Sequence, residues 1–417
     1  MVEVTVKVPC AEGQTHPVRL RLTGWGKFEV VYNPCEELLG PVFARMAACT
    51  HYLQAGGSGE DDQLALRLLG ALPRAGAAAV PIIVEALRDD DWEIREAAAH
   101  ALMRVRDASA VPPLIEALND PDFDVRDTAV GALGELGDPR AVPALIKVLW
   151  DSDWGVRRSA AEALAKIGEP AIPEVAELLM DPNGEIRRVA AEILRNIGKA
   201  AVPALVQALQ DEVPEVRLEA IWGLHASEDP SVIPTLVWAL QDKDPSVRVA
   251  ALKAVVELSD ASAVPILIQA LRDSAWNVRY AAAEALGAIG DPQAVPALIE
   301  ALADEHDYVR SRACQSLGEI GAPQAVPALI EALKADGWWL RHVAALALGE
   351  IGDPSAVPHI IPLLKDYWWG ARNAAVHALG KIGDPSAIPH LLESLELEGN
   401  QGTTIIDAIN EALAKLR

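Results

Sequence analysis

Around residue 280 the apolar positions of the chain fall on one side of a helix. In the stretch from Asn277 to Gly290, Val278, Ala282, Leu286 and Ile289 recur at i, i+4, i+8 and i+11, a single stripe at helical spacing. Gly290 stands where a helix can end in a left-handed residue, and Asp291-Pro292 opens a turn. A second helix is predicted from near Pro296, whose missing N–H has no partner to lose in a first turn. It continues as ALIEAL until Asp304 opens the next loop. The many alanines of the first helix allow neighbouring backbones to approach closely.

This helical hairpin is one copy of a repeat. An apolar residue followed by arginine recurs at Arg95, Arg126, Arg157, Arg187, Arg217, Arg248, Arg279, Arg310, Arg341 and Arg372, in steps of 30 or 31. Prolines from Pro81 and Pro112 through Pro358 and Pro389 recur with the same period. A hairpin of this size has apolar surface it cannot bury alone, and stacking on the next copy buries it. The expected fold is therefore mainly α, an α-solenoid: a right-handed superhelix of about twelve helix pairs over residues 60–417. The ladder arginines are expected to bridge to turn carbonyls or carboxylates between neighbouring hairpins, and Asp138, Asp291, Asp353 and Asp384 recur in the turns. The terminal copies depart from the pattern. Glu60 to Leu72 lacks the arginine, and Thr403 takes its place before the last helix, Thr404 to Leu416.

Residues 1–55 follow another rule. VEVTVKV and PVRLRL alternate with period two, KFEVVY is a third β-rich run, and Gly24-Trp25-Gly26 suits a tight hairpin. A helix is expected over Glu36–Gln54, giving a small β-β-β-α unit, with a Gly-rich joint at residues 56–59. Cys10, Cys35 and Cys49 lie here, with His16 and His51. Without a C-x-x-C knuckle a zinc site is weakly drawn, as is a Cys10–Cys35 pairing, and plain buried thiols are preferred.

Units such as DPQAVPALIEALADEHDYVRSRACQSLGEIG (Asp291–Gly321) and GDPSAVPHIIPLLKDYWWGARNAAVHALGKIG (Gly352–Gly383) resemble the HEAT-like repeats of the phycobilisome-lyase type. The resemblance covers roughly residues 60–417 and implies the solenoid. For function it implies several options: bilin lyase subunits and their relatives, interaction scaffolds, and one hydroxylase family. The hydroxylases hold two irons through repeated His-Glu dipeptides. This chain has none, Glu305-His306 being the reverse order, so that activity and a metal centre are not expected.

Composition narrows the partners. The chain is 51% apolar but only 5% aromatic, so its apolar content is largely the aliphatic and alanine mix of closely packed helices. Its formal charge of −24 opposes phosphate backbones and anionic lipid, so nucleic-acid and membrane partners are not expected. No apolar signal-peptide core or transmembrane-length run is present, which makes a soluble cytoplasmic protein the expectation.

In a repeat protein, the positions that vary on one face are the candidates for function. Residues at −3, +1 and +5 from each ladder arginine form one stripe on the first helix. That stripe carries Trp92, Trp154, Arg158, Arg188, Trp222, Trp276, Tyr280, Trp338, His342, Trp369 and His377, with Tyr308, Trp339 and Trp368 adjoining it. Arg158 and Arg188 stand beside the ladder and are read as available to a carboxylate or an acidic peptide. A turn tryptophan can instead lie flat over the next hairpin and seal the stack. The preferred reading gives the rings to an open groove that holds a protein or peptide partner, without catalytic residues and without a cofactor. Two alternatives stay open: a bilin or other tetrapyrrole cradled in the C-terminal groove and touched by Cys314 or a histidine, and an enzyme or small-ligand carrier whose site lies between the N-terminal unit and the groove. No phosphate-cradling glycine loop and no G-x-S-x-G is present.

Overall fold

A computed structural model describes residues 3–9, 15–24, 27–32, 69–70, 72–73, 79–259, 263–398 and 403–416. Three strands, β1 (Glu3–Pro9), β2 (Thr15–Gly24) and β3 (Lys27–Tyr32), pair antiparallel in that order. The helix expected over Glu36–Gln54, and with it the β-β-β-α arrangement as a unit, lies outside the described residues, as do the joint at 56–59 and Cys10, Cys35, Cys49 and His51.

The described remainder alternates short and long helices. The short ones are α1 (Val80–Ala86), α3 (Val111–Ala117), α5 (Val142–Val148), α7 (Ile172–Glu177), α9 (Val202–Ala208), α11 (Ile233–Ala239), α13 (Val264–Ala270), α15 (Val295–Ala301), α17 (Val326–Ala332), α19 (Val357–Ile360) and α21 (Ile388–Glu398). The long ones are α2 (Trp92–Val105), α4 (Phe123–Leu136), α6 (Trp154–Ile167), α8 (Gly184–Ile197), α10 (Pro214–Ala226), α12 (Pro245–Ser259), α14 (Trp276–Ile289), α16 (Asp307–Ile320), α18 (Trp338–Ile351), α20 (Trp369–Ile382) and α22 (Thr403–Leu416). Packing divides the chain into two units, Met1–Gly223 and Leu224–Arg417.

Local chemistry sets the boundaries of each hairpin. Asp91, Asp122, Asp153 and Asn183 precede their long helices and accept a first-turn backbone N–H. Gly290 ends α14 with φ +74°, where any other L residue would be strained. The turn aspartates Asp138, Asp291, Asp353 and Asp384 do not meet the ladder arginines. Each accepts the backbone N–H two residues on and so starts a 3₁₀ turn. That turn leads into the short helix, whose ladder proline sits in its first turn.

Within each unit the packing runs chiefly between successive long helices. Glycines eight residues after a ladder arginine make this possible. A Cβ on Gly349 would lie 2.8 Å from the Cα of Ala378, and one on Gly318 would lie 2.8 Å from that of Ala347. The same contact recurs between Gly134 and Ala163 in the first unit. Val125, Leu133, Leu286, Leu317 and Leu348 are fully buried in the seams.

The ladder arginines staple one hairpin to the next. Nη1 donates to the backbone carbonyls five and six residues earlier, as from Arg126 to Asp120 and Pro121. Nε and Nη2 grip a carboxylate in the following hairpin: Arg95–Asp120, Arg126–Asp151, Arg187–Asp211, Arg248–Asp273, Arg279–Asp304 and Arg341–Asp366. The Nε bonds are 2.6–2.8 Å long and the partners' side chains are 8–15% exposed. Each such aspartate also caps the backbone N–H two residues on, as Asp304 does for His306 and Asp366 for Trp368. Arg157 and Arg310 depart from this pattern: among the described residues Arg157 holds its turn carbonyls, and Arg310, with Ala335 twenty-five residues on, turns to Asp307 of its own helix.

Burial opposes ionisation of these six aspartates, but the guanidinium bond and the capped N–H together outweigh it and hold each carboxyl below its ordinary range. A carboxyl depressed on folding stabilises the protein above its unfolded pKa, about 4, and that contribution disappears as pH falls through the lower folded value. The urea midpoint is therefore expected to drop steeply below about pH 4. An Asp304→Asn variant should start lower and lose less over the same range. A midpoint that stays level to about pH 3 would contradict this assignment.

Candidate functional site

The stripe at −3, +1 and +5 begins at the first helical residue of most long helices. Trp92, Phe123, Trp154, Trp276, Trp338 and Trp369 all hold that position. A first-turn side chain has no preceding helical turn to lie on, so all of these rings but Trp338 stay exposed. Trp154 is 65% and Trp369 57% exposed, and Trp92, Phe123 and Trp276 are exposed as well. Trp222 and His377 are exposed farther along α10 and α20.

Two groups of rings come together in the second unit, by one rule. The first helical residue of one hairpin meets the residue just before the long helix of the next. Trp276 stacks on His306 with centroids 4.2 Å apart and planes 3° apart, and Tyr308 closes on both at 5.8 and 5.5 Å. Trp338 meets Trp368 at 4.5 Å in the same register, and Trp339 crosses Trp338 edge-on at 5.4 Å. His342 stacks under Trp339 at 5.3 Å. Its Nδ1 lies 2.8 Å from the carbonyl oxygen of Gly370, so this nitrogen is the donor. The arginine ladder sets this register, because the aspartates that receive Arg279 and Arg341 also hold the backbone of His306 and Trp368.

Beside the first group is an open cavity of about 510 Å³, lined by Ser246, Val249, Lys253, Trp276, Asn277, Tyr280, Ala281, Glu284 and Tyr308. Tyr280 carries the Arg312 guanidinium 5.7 Å from its ring centre, and Arg312 also pairs with Glu284.

Other expected site residues are placed differently. Arg158 pairs with Glu162 and lies over the Trp154 ring, and Arg188 pairs with Glu185 and Glu192. The availability expected of them is thus corrected: carboxylates one turn away on their own helices take both. Trp338 and Trp368 are half-buried where they meet between hairpins. Cys314 is fully buried, and burial pushes its thiol up to about 12, which removes it as a contact for a chromophore. His306 was not among the expected site residues, although its offset one residue before a long helix marks the ring junction. Among the described residues, no group of three or more His, Cys, Asp or Glu is placed to hold a metal ion. Among the same residues, no helix is long and apolar enough to cross a membrane.

Comparison with known proteins places the repeats. The family model described as HEAT repeats matches residues 50–127, 111–195, 172–237, 233–311, 264–346, 295–369 and 336–410. The phycobilisome-lyase subtype is not distinguished by these matches. No curated protein matches the chain. Among solved structures, it is similar to the karyopherin Kap121p bound to the extreme C-terminus of the protein phosphatase Cdc14p, at 15% identity and a TM-score of 0.60, covering 91% of this chain and 51% of that one. Kap121p bound to Nup53p gives 14% identity and 0.60, with 92% and 50% covered. Kap95p, from a structure with RanGDP, gives 16% and 0.51, with 89% and 60% covered. The chain thus spans about half the length of Kap121p, and identities this low show a shared fold alone.

Proposed function

Because the chain belongs to the HEAT-repeat family, we propose that it is a non-enzymatic binding scaffold that holds a protein or peptide partner against the ring-bearing face of its long helices. The observation that carries this reading is the row of exposed rings at the first helical position. Trp92, Trp154, Trp276 and Trp369 present large rigid apolar area to solvent where the fold accepts a proline, as at Pro214 and Pro245. Packing therefore does not demand them, and such rings are the usual anchors of protein interfaces. Two of the similar karyopherin structures are bound to protein partners, Cdc14p and Nup53p, which agrees with this use of the architecture. The net charge of −24 disfavours nucleic acid.

The test compares polypeptides captured by the intact chain with those captured by a Trp276→Ala, Trp339→Ala, Trp369→Ala variant of unchanged circular dichroism. A defined polypeptide held by the first and lost by the second is the expected result. Equal capture by both would remove the rings from the interface.

A further inference from the structure

The geometry points to an occupant for the cavity beside Trp276: an apolar side chain of a partner segment, with an acidic residue next to it whose carboxylate pairs with Lys253. This rests on the scaffold reading and specifies the partner at one place.

The shape and polarity of the cavity come first. Val249 and Ala281 supply aliphatic wall, and Trp276, Tyr280 and Tyr308 supply rings. These rings are held from behind, Trp276 by the stacked His306 and Tyr280 by the Arg312 guanidinium. A guest side chain therefore meets surfaces that are already positioned, which lowers the ordering cost of binding.

Charge then selects among apolar guests. Two charged side chains line the cavity, Lys253 and Glu284. Glu284 is spent on Arg312, which also lies 3.8 Å from Glu319. Lys253 is exposed, and among the described residues no carboxylate pairs with it. A cationic guest would face this ammonium and would share the Tyr280 ring with Arg312. A carboxylate would gain a partner. The chain's overall negative charge acts the other way at long range, but physiological salt screens it beyond about 8 Å, which leaves the local ammonium in control.

Three capped pentapeptides provide the test, each with a central phenylalanine followed by glutamate, glutamine or lysine. Their affinities for the full chain are read from tryptophan fluorescence. The glutamate peptide is expected to bind about threefold tighter than the glutamine peptide, with the lysine peptide weakest. Lys253→Met should erase the difference between glutamate and glutamine, and Trp276→Ala should weaken all three alike. Equal binding of the three peptides, still lost in Trp276→Ala, would overturn the carboxylate assignment and spare the ring face. Binding that ignores Trp276→Ala, or no binding of any peptide, would overturn the cavity as a site. The scaffold reading would then stand or fall separately on capture through Trp339 and Trp369.

Discussion

Arg279→Met is expected to destabilise the protein by about 3 kcal/mol, because it leaves the Asp304 carboxylate buried without its partner. The two side chains are 8% and 9% exposed and share two hydrogen bonds of 2.6 and 2.9 Å. An exposed pair would be worth about 1 kcal/mol at most. Methionine keeps the apolar stem of arginine but not its guanidinium, so the loss comes from the orphaned carboxylate and from the Asp273 and Ser274 carbonyls that Nη1 held. Denaturant unfolding measures it, and a second variant identifies its origin. Arg279→Met combined with Asp304→Leu removes both charges and should recover much of the loss, since the penalty lies in the orphaned ion and not in the missing pair. The single variant should also loosen the stack of Trp276 on His306, because Asp304 would no longer be held while it caps His306. A loss under about 1 kcal/mol would mean that the ladder is decoration on an apolar stack.

The second large effect is on binding. Removing the exposed rings together, as Trp276→Ala, Trp339→Ala and Trp369→Ala, should weaken partner binding at least about tenfold, since single anchors of this type are commonly worth 1–2 kcal/mol or more. Stability should change less than on loss of the half-buried pair Trp338 and Trp368, because Trp276, Trp339 and Trp369 are 43, 47 and 57% exposed, the main loss being the stack of Trp276 on His306. Trp338→Ala with Trp368→Ala is the matched control. Those rings are half-buried and in tilted contact across a junction, so their loss should cost about 1 kcal/mol or more in stability. Thermal melts and affinity measured on both variants separate the roles. If the exposed set unfolds the protein and the half-buried set does not, the assignment of rings to packing and to binding is reversed.

How much of this was legible in the sequence follows from where each interaction lies. Hairpins were legible because their signals are local: the apolar stripe of α14, the left-handed Gly290 and the proline of the next first turn all fall within one repeat. The ladder was visible as a period, but its acceptor was not, because the partner of Arg279 lies in the next hairpin. Asp120, Asp151, Asp273, Asp304 and Asp366 form a ladder of their own, in the turn opposite the one that drew attention. The C-terminal rings, Trp338 and Trp368 among them, were legible as neighbours because adjacent hairpins bring them within reach. The pairing of Trp276 with His306 escaped: a stripe at −3, +1 and +5 describes neighbours on one helix, whereas these two meet across a junction. Arg158 and Arg188 are the opposite case. Glu162 and Glu192 stand four residues on, where a helical pair is the ordinary expectation, so their pairing could have been read directly.

The most direct test of the central claim is fluorine NMR of fluorotryptophan-labelled protein, free and with a captured partner segment. The resonances of Trp276, Trp339 and Trp369, assigned by substitution, should shift or broaden on binding, while those of Trp150 and Trp238, which lie outside the ring-bearing stripe, stay in place. Unmoved signals from the first three, with changes at Trp150 or Trp238 instead, would show that the partner lies elsewhere and would contradict the account.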